Sequence, residues 1–365
     1  MYQEGEFYMS RVGSNNKKQK IILILVVTLV ILVLAGILGF KIWKDKSNIK
    51  PIESPTNQVE EENKVEEPVV EQKKINIFNG DERPIAVMID NHKGAWPQAG
   101  LNKAYMVYEI IVEGGETRLM PVFKGQKLSE IGPVRSSRHY FLDYALENDA
   151  IYVHYGWSPQ AKRDISSLGV NNINGITYSK SQFWRVRTKA APHNVLTSTS
   201  SILSIAKKKG YETKSNSTSI LNYVSEDVKL EDGTKAEKVT IPYSTLHKVQ
   251  YKYDSKTKRY IRYARGTLQK DYSTKENITT KNIIIEFIDN SSLNDGTKKG
   301  RQTISNIGTY KGYYITNGKA IKINCTKSTR KAKTVYRDLN GNVINVNDGN
   351  TWVSICPKDA KVNIE

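Results

Sequence analysis

Residues 21–40, IILILVVTLVILVLAGILGF, form a run of twenty side chains without a charge, beginning at Ile21 and ending at Phe40. As a helix rising about 1.5 Å per residue, such a run crosses a hydrocarbon core of about 30 Å and satisfies its own backbone groups there. It is longer than the apolar core of a secretory signal, and no A-x-A cleavage pattern follows it, so the reading is an uncleaved anchor. Arg11, Lys17, Lys18 and Lys20 precede the span, whereas Lys41, Lys44, Lys46 and Lys50 follow it, offset by Asp45. Positive-inside counting is therefore nearly even. With no second run of this kind, the chain is expected to cross once, with residues 1–20 as a short cytoplasmic tail and the bulk outside.

Composition changes abruptly after the span. Residues 41–82 read as an acidic, proline-containing linker, in which Pro51, Pro55 and Pro68 are mixed with Glu53, Glu60, Glu61, Glu62, Glu66, Glu67 and Glu71. A segment of this kind cannot bury a core and serves as a tether extended by its own charge. Residues 1–50 carry +5 and residues 51–82 carry −6, which leaves +19 on residues 83–365. Outside a cell that charge points to anionic wall polymers, lipid headgroups or an acidic protein partner, or else it reflects a Lys- and Asn-rich composition. A membrane anchor and the lack of a zinc-finger or helix-turn-helix pattern count against nucleic acid. Two cysteines, Cys325 and Cys356, exclude a disulfide-rich scaffold and a four-cysteine metal centre. Two unlinked buried thiols are the expected state, with a disulfide as the alternative.

The soluble part reads as an α/β domain over residues 83–238 and a mainly β domain over residues 239–365. In the first, PIAVMI, AYMVYEIIV, RLMPVF and AIYVHY look like buried strands, and helices are expected over residues 138–147, 159–168 and 200–209. Ser158 before Pro159 supplies an N-cap with proline at the first helical position, and Gly210 supplies a stop. In the second, Asn317-Gly318 and Asn340-Gly341 lie between alternating strands, a hairpin signal because both residue types tolerate positive φ.

Ionisable residues are interleaved with the apolar runs between residues 83 and 140: Asp90, His92, Glu109, Glu113, Glu116, Arg118, Arg135, Arg138 and His139. Gly132-Pro133-Val134-Arg135-Ser136-Ser137-Arg138 is expected to turn into a helix, so that free N–H groups, the helix dipole and two guanidiniums converge on an anion. The alternative is that Arg135 and Arg138 pair with Asp90, Glu109 or Glu113 inside the fold. Arg118, Arg135, Arg138, Ser136, His193 and Asn194 are the expected ligand-binding residues, and Asp90, Glu113 and His154 the candidates for acid–base work. No H-E-x-x-H spacing, G-x-S-x-G elbow or phosphate-binding loop occurs, and neither a metal nor a cofactor is expected. Glu113-Gly114-Gly115-Glu116 reads as a tight hairpin turn.

The order RPIAVMIDNH, WPQAGLNKAYMVYEIIVEGGETRLMPVF, IGPVRSSRHYFLDYA, YVHYGWSP, FWR and APHN closely resembles the YerB-like family of bacterial lipoproteins. NIIIEFID, GYYITNGKAIKI and TWVSICP resemble that family's second domain, so the likeness runs over residues 76–365. It implies an extracytoplasmic protein with paired domains and implies no established activity. Family members are commonly lipid-anchored through a cysteine near the end of the signal segment, whereas no cysteine precedes Cys325 here, which leaves residues 21–40 as the anchor. Two functions are weighed. One is recognition of an anionic envelope component or envelope protein; the other is a hydrolase acting on an envelope polymer, with Asp90 or Glu113 as base and His154 as acid–base partner. The hydrolase requires those side chains to converge on a common point.

Overall fold

The computed structural model describes residues 74–365. The expected tail, membrane span and most of the linker lie outside them. Among the described residues no helix is long and apolar enough to cross a membrane.

The first half supplies strands β1 (Ile85–Val87), β2 (Ile89–Asp90), β3 (Met106–Ile111), β4 (Thr117–Phe123), β5 (Ile151–His154) and β6 (Asn172–Asn174). These do not form a separate sheet. They continue a mixed twelve-stranded sheet whose order runs Thr234–Lys235, Lys319–Lys327, Gly308–Thr316, Asn282–Ile288, Thr351–Pro357, β3, β4, β1, β5, β6, with β2 also paired to β4 and Val335–Arg337 to Lys319–Lys327. Thr351–Pro357 joins the halves, pairing parallel with Asn282–Ile288 on one side and β3 on the other. The described chain is thus strand-rich with few helices, and the sheet of its first half is shared with the second.

Side-chain alternation explains how this sheet is covered. Ile85, Val87, Val107, Leu119, Val153, Ile283, Ile285 and Trp352 share one core with Ile202, Ile205 and Ala206 of helix α3 (Thr199–Lys208). Val239, Ile241, Val249, Tyr251 and Tyr260 of a second, six-stranded sheet complete that core. The alternate residues Ala86, Met88, Met106, Tyr108, Met120, Val122, Ile284 and Val353 pack with Phe141, Leu142, Tyr144 and Ala145 of α1 (Phe141–Glu147) and Ile165 of α2 (Pro159–Ser167). Each large side chain so buried contributes about 1.5–3 kcal/mol.

The local signal acts where expected at α2, and α3 carries a cap of the same kind. Ser158 Oγ accepts from the Ala161 N–H at 3.2 Å, and Ser198 Oγ from the Ser201 N–H at 3.2 Å. Asn317-Gly318 turns Gly308–Thr316 back onto Lys319–Lys327, with φ of +50° and +75°. The Asn340-Gly341 turn differs. Only Arg337 and Val343 bridge across it, and Asn345–Asn347 leaves to pair parallel with Asn222–Val224. Cys325 and Cys356 are buried free thiols. Two strands separate theirs in the sheet; at about 4.8 Å per strand they stand about 14 Å apart, out of disulfide reach.

Gly312 shows how closely the sheet is built. A Cβ there would lie 2.2 Å from the Ile285 carbonyl oxygen and 2.9 Å from Cys325 Sγ. Gly312→Ala is therefore expected to destabilise the protein by about 1–3 kcal/mol, read as a lower urea midpoint with unchanged slope.

Candidate anion-binding cleft

The end of β2 sets the first wall of the site. Asp90 and His92 face a cleft, whereas Asn91 between them is fully buried and turns inward. Asn91 Nδ2 donates to Glu109 Oε1 at 3.0 Å and to Thr117 Oγ1 at 2.7 Å, while its Oδ1 accepts from Gln98 Nε2 at 2.8 Å and Trp96 Nε1 at 3.1 Å. The same Glu109 is held by His247, in the turn before Lys248–Asp254, and by Arg262 of the second sheet, at 3.0 and 2.8 Å. The loop carrying Asp90 and His92 is thereby fastened to the sequence's second half.

The β3–β4 hairpin supplies the second wall. Its turn, Glu113–Gly115, places Gly114 and Gly115 at φ of +68° and +72°, as the Glu-Gly-Gly-Glu pattern predicts, and brings Glu113, Glu116 and Arg118 to the cleft. The third wall is the Gly132–Arg138 segment, and here the expected helix start is corrected. Helix α1 begins only at Phe141. The preceding chain is extended and spends three of its N–H groups on the fold: Val134 on Val195 O at 2.6 Å, Arg135 on Met88 O at 2.8 Å, Ser137 on Gly156 O at 2.9 Å. Gly132, at φ +148°, lies where a Cβ would meet Leu196 and the Val195 carbonyl at 2.7 Å, so the segment lies flush against its neighbours. Side chains, rather than a helix terminus, must hold any anion.

The cleft has a volume of about 480 Å³. Arg118, Arg135, Arg138, Lys299 and Arg301 line it against the carboxylates of Asp90, Glu113 and Glu116, the last of which ion-pairs with Arg265. Arg138 grips Glu113 through Nε and Nη2 at 2.5 and 2.9 Å. Burial works to raise the Glu113 pKa, but the hydrogen bond and charge of Arg138 and the charge of Arg118 reverse it, leaving the carboxyl below its ordinary value. Arg118 donates to the Ser136 carbonyl at 2.5 Å. Burial and the neighbouring Arg138 lower it to about 10, so it stays charged at neutral pH. Arg135 is different: its Nε stands 3.0 Å from Asp90 Oδ2, yet this buried N–H has no aligned acceptor.

Asp90 also accepts from His193 Nδ1 at 2.7 Å through Oδ2 and from the His92 N–H at 3.0 Å through Oδ1. The rings of His92 and His193 stack 4.4 Å apart at 15°. Of the residues singled out in the sequence, Asp90, Glu113, Arg118, Arg135, Ser136, Arg138 and His193 line this one cleft. Two do not. His154 is fully buried, bonded to Gly156 O at 2.7 Å and Asn172 Oδ1 at 3.2 Å, and burial lowers it to about 4. Asn194 accepts from Arg185 at 2.6 Å and donates to the carbonyls of Val186 and Lys189 at 3.2 and 3.1 Å, so it shapes the loop that carries His193. Lys299 and Arg301 were not singled out in the sequence. They belong to a small antiparallel hairpin, Asn290–Ser292 with Gln302–Ile304, whose Lys298-Lys299-Gly300-Arg301 turn was the available signal.

Fold and site define a strand-rich protein in which two sequence halves share a sheet and together line a basic cleft. The chain belongs to the DUF3048 family: residues 72–212 match "Protein of unknown function (DUF3048) N-terminal domain" and residues 239–353 match the corresponding C-terminal domain. It is 33% identical over 287 residues to "Putative lipoprotein YerB" of Bacillus subtilis (strain 168), covering 78% of this chain and 81% of that protein. The crystal structure of YerB from Bacillus subtilis superposes with a TM-score of 0.70 at 31% identity, covering 78% of this chain and 94% of the solved one.

Proposed function

We propose that this chain is a membrane-tethered, extracytoplasmic binding protein of the bacterial envelope whose cleft takes an anionic, phosphate- or carboxylate-bearing envelope component. The observation that carries the reading is the lining of the cleft, where Arg118, Arg135, Arg138, Lys299 and Arg301 outnumber the carboxylates of Asp90, Glu113 and Glu116. Guanidiniums bind phosphate and carboxylate oxygens through charge-assisted hydrogen bonds, so an incoming anion would balance the excess of positive charge. The charge of +19 on residues 83–365 would draw such a ligand in. The apolar run at residues 21–40 supports tethering by a single helix, and the lipoprotein character given to the Bacillus relative supports placement on the outer face of the cell membrane. The hydrolase built on Glu113 and His154 is not favoured, because Glu113 is clamped by Arg138 and His154 lies outside the cleft.

Calorimetric titration with inorganic phosphate tests the reading. Binding is expected at low ionic strength and should weaken as salt rises. Arg135→Ala should weaken it about 10- to 100-fold, the worth of a charge-assisted hydrogen bond. The fold should survive, since Asp90 keeps His193 and the His92 N–H. Absence of binding by the unaltered chain at low salt overturns the proposal.

A further inference from the structure

We infer that the cleft is a phosphodiester-hydrolysing centre in which His193, oriented by Asp90, is the general base; the inference rests on the anion-binding reading above. The Asp90 carboxylate is fixed on both oxygens, by His193 Nδ1 at 2.7 Å and by the His92 N–H at 3.0 Å. With Nδ1 donating, the lone pair of His193 resides on Nε2, and among the described residues no group is bonded to it. A carboxylate that fixes the tautomer of an imidazole lining a cleft is the arrangement general-base catalysis requires. The Gly94 N–H at 3.0 Å from His92 Nδ1 likewise sets the proton of His92 on Nε2, as a donor beside that base.

The surrounding groups choose the chemistry. Glycoside hydrolysis needs one carboxyl protonated, and Asp90 and Glu113 are both held by cations. Phosphoryl transfer needs guanidiniums on non-bridging oxygens, which Arg118 and Arg135 offer. The hydroxyls at the cleft are occupied, Ser136 on the Tyr155 carbonyl at 3.0 Å and Thr117 on Glu109 at 2.8 Å, which leaves water as nucleophile. His193 Nε2 takes a proton from water as its oxygen bonds to phosphorus. The bond from phosphorus to one ester oxygen breaks, and the departing alkoxide takes a proton from solvent. His193 returns its proton to solvent, so a diester and water yield a monoester and an alcohol.

The test uses the full chain in detergent with bis(4-nitrophenyl) phosphate, 4-nitrophenyl phosphate, a glycerol-phosphate polymer and phosphatidylglycerol vesicles. The diester should be cleaved in preference to the monoester, and the last two substrates separate polymer from lipid as the source. His193→Gln should lose at least 100-fold in turnover. Phosphate binding without cleavage of any ester overturns the inference and leaves the binding reading standing; no phosphate binding overturns both. Undiminished turnover by His193→Gln overturns the assigned base. Should that variant fail to fold, the pH–rate profile of the unaltered chain decides, since a rate that does not fall as pH drops through the imidazole range contradicts a His base.

Discussion

Glu109→Ala is expected to destabilise the protein by about 3–5 kcal/mol, measured by urea unfolding at pH 7, because it strands a buried guanidinium. Arg262 and Glu109 are both fully buried, and the Arg262 Nε and Nη1 already lack partners, leaving Trp352, 4.5 Å beneath the guanidinium, and Glu109 as its compensation. The same pair predicts the acid limb of the stability curve. Burial alone would raise the Glu109 pKa; the charge of Arg262 and the hydrogen bond and charge of His247 overcome that and bring it to about 2, from an ordinary 4.5. A carboxyl lowered on folding adds stability that is full above its unfolded value and is lost as pH falls toward the folded one. Between about pH 4.5 and 2 the unaltered protein should thus lose about 3 kcal/mol through this residue, at about 1.4 kcal/mol per tenfold change. A Glu109→Gln variant whose stability falls as steeply over that range would contradict the assignment.

Glu286 behaves with the opposite sign. It is buried and accepts from Tyr336 Oη at 2.8 Å; burial raises it to about 7, with Tyr336 opposing and the nearby Glu147 reinforcing. A carboxyl raised on folding keeps its proton longer in the native state, so stability is full below about pH 4.5 and is lost as pH climbs through about 7. Glu286→Gln, which resembles the protonated form, should be more stable than the unaltered chain by up to about 3 kcal/mol at pH 8 and should show no such gain at pH 4. Equal differences at the two pH values would show that Glu286 does not titrate in this range.

The parts of this fold governed by local chemistry were readable in the residues. Ser158-Pro159 fixes a helix start, Asn317-Gly318 a hairpin, and the apolar runs PIAVMI and AYMVYEIIV two buried strands. What could not be read is the parallel pairing of Thr351–Pro357 with β3, because two fully buried apolar runs carry no register information until they meet. The site shows the same division. Asp90, Arg118, Arg135 and Arg138 were legible as charges at strand ends and turns, whereas His154 has the same sequence context but points into the interior. The Gly132–Arg138 segment was misread as a helix start because its hydrogen-bond partners, Met88, Gly156 and Val195, lie far away in the chain. Arg301 was hidden for a similar reason, reaching the cleft from a hairpin of the other half.

The position of Thr351–Pro357 in the middle of the large sheet bears on how the chain is made. It is the last of that sheet's strands to emerge during synthesis, yet β3 and Asn282–Ile288 both pair with it. Until it arrives, each presents an unpaired apolar edge, open to pairing with another chain. Completion of the large sheet therefore waits on its last-made strand, with the final pairing withheld until residues 351–357 are available.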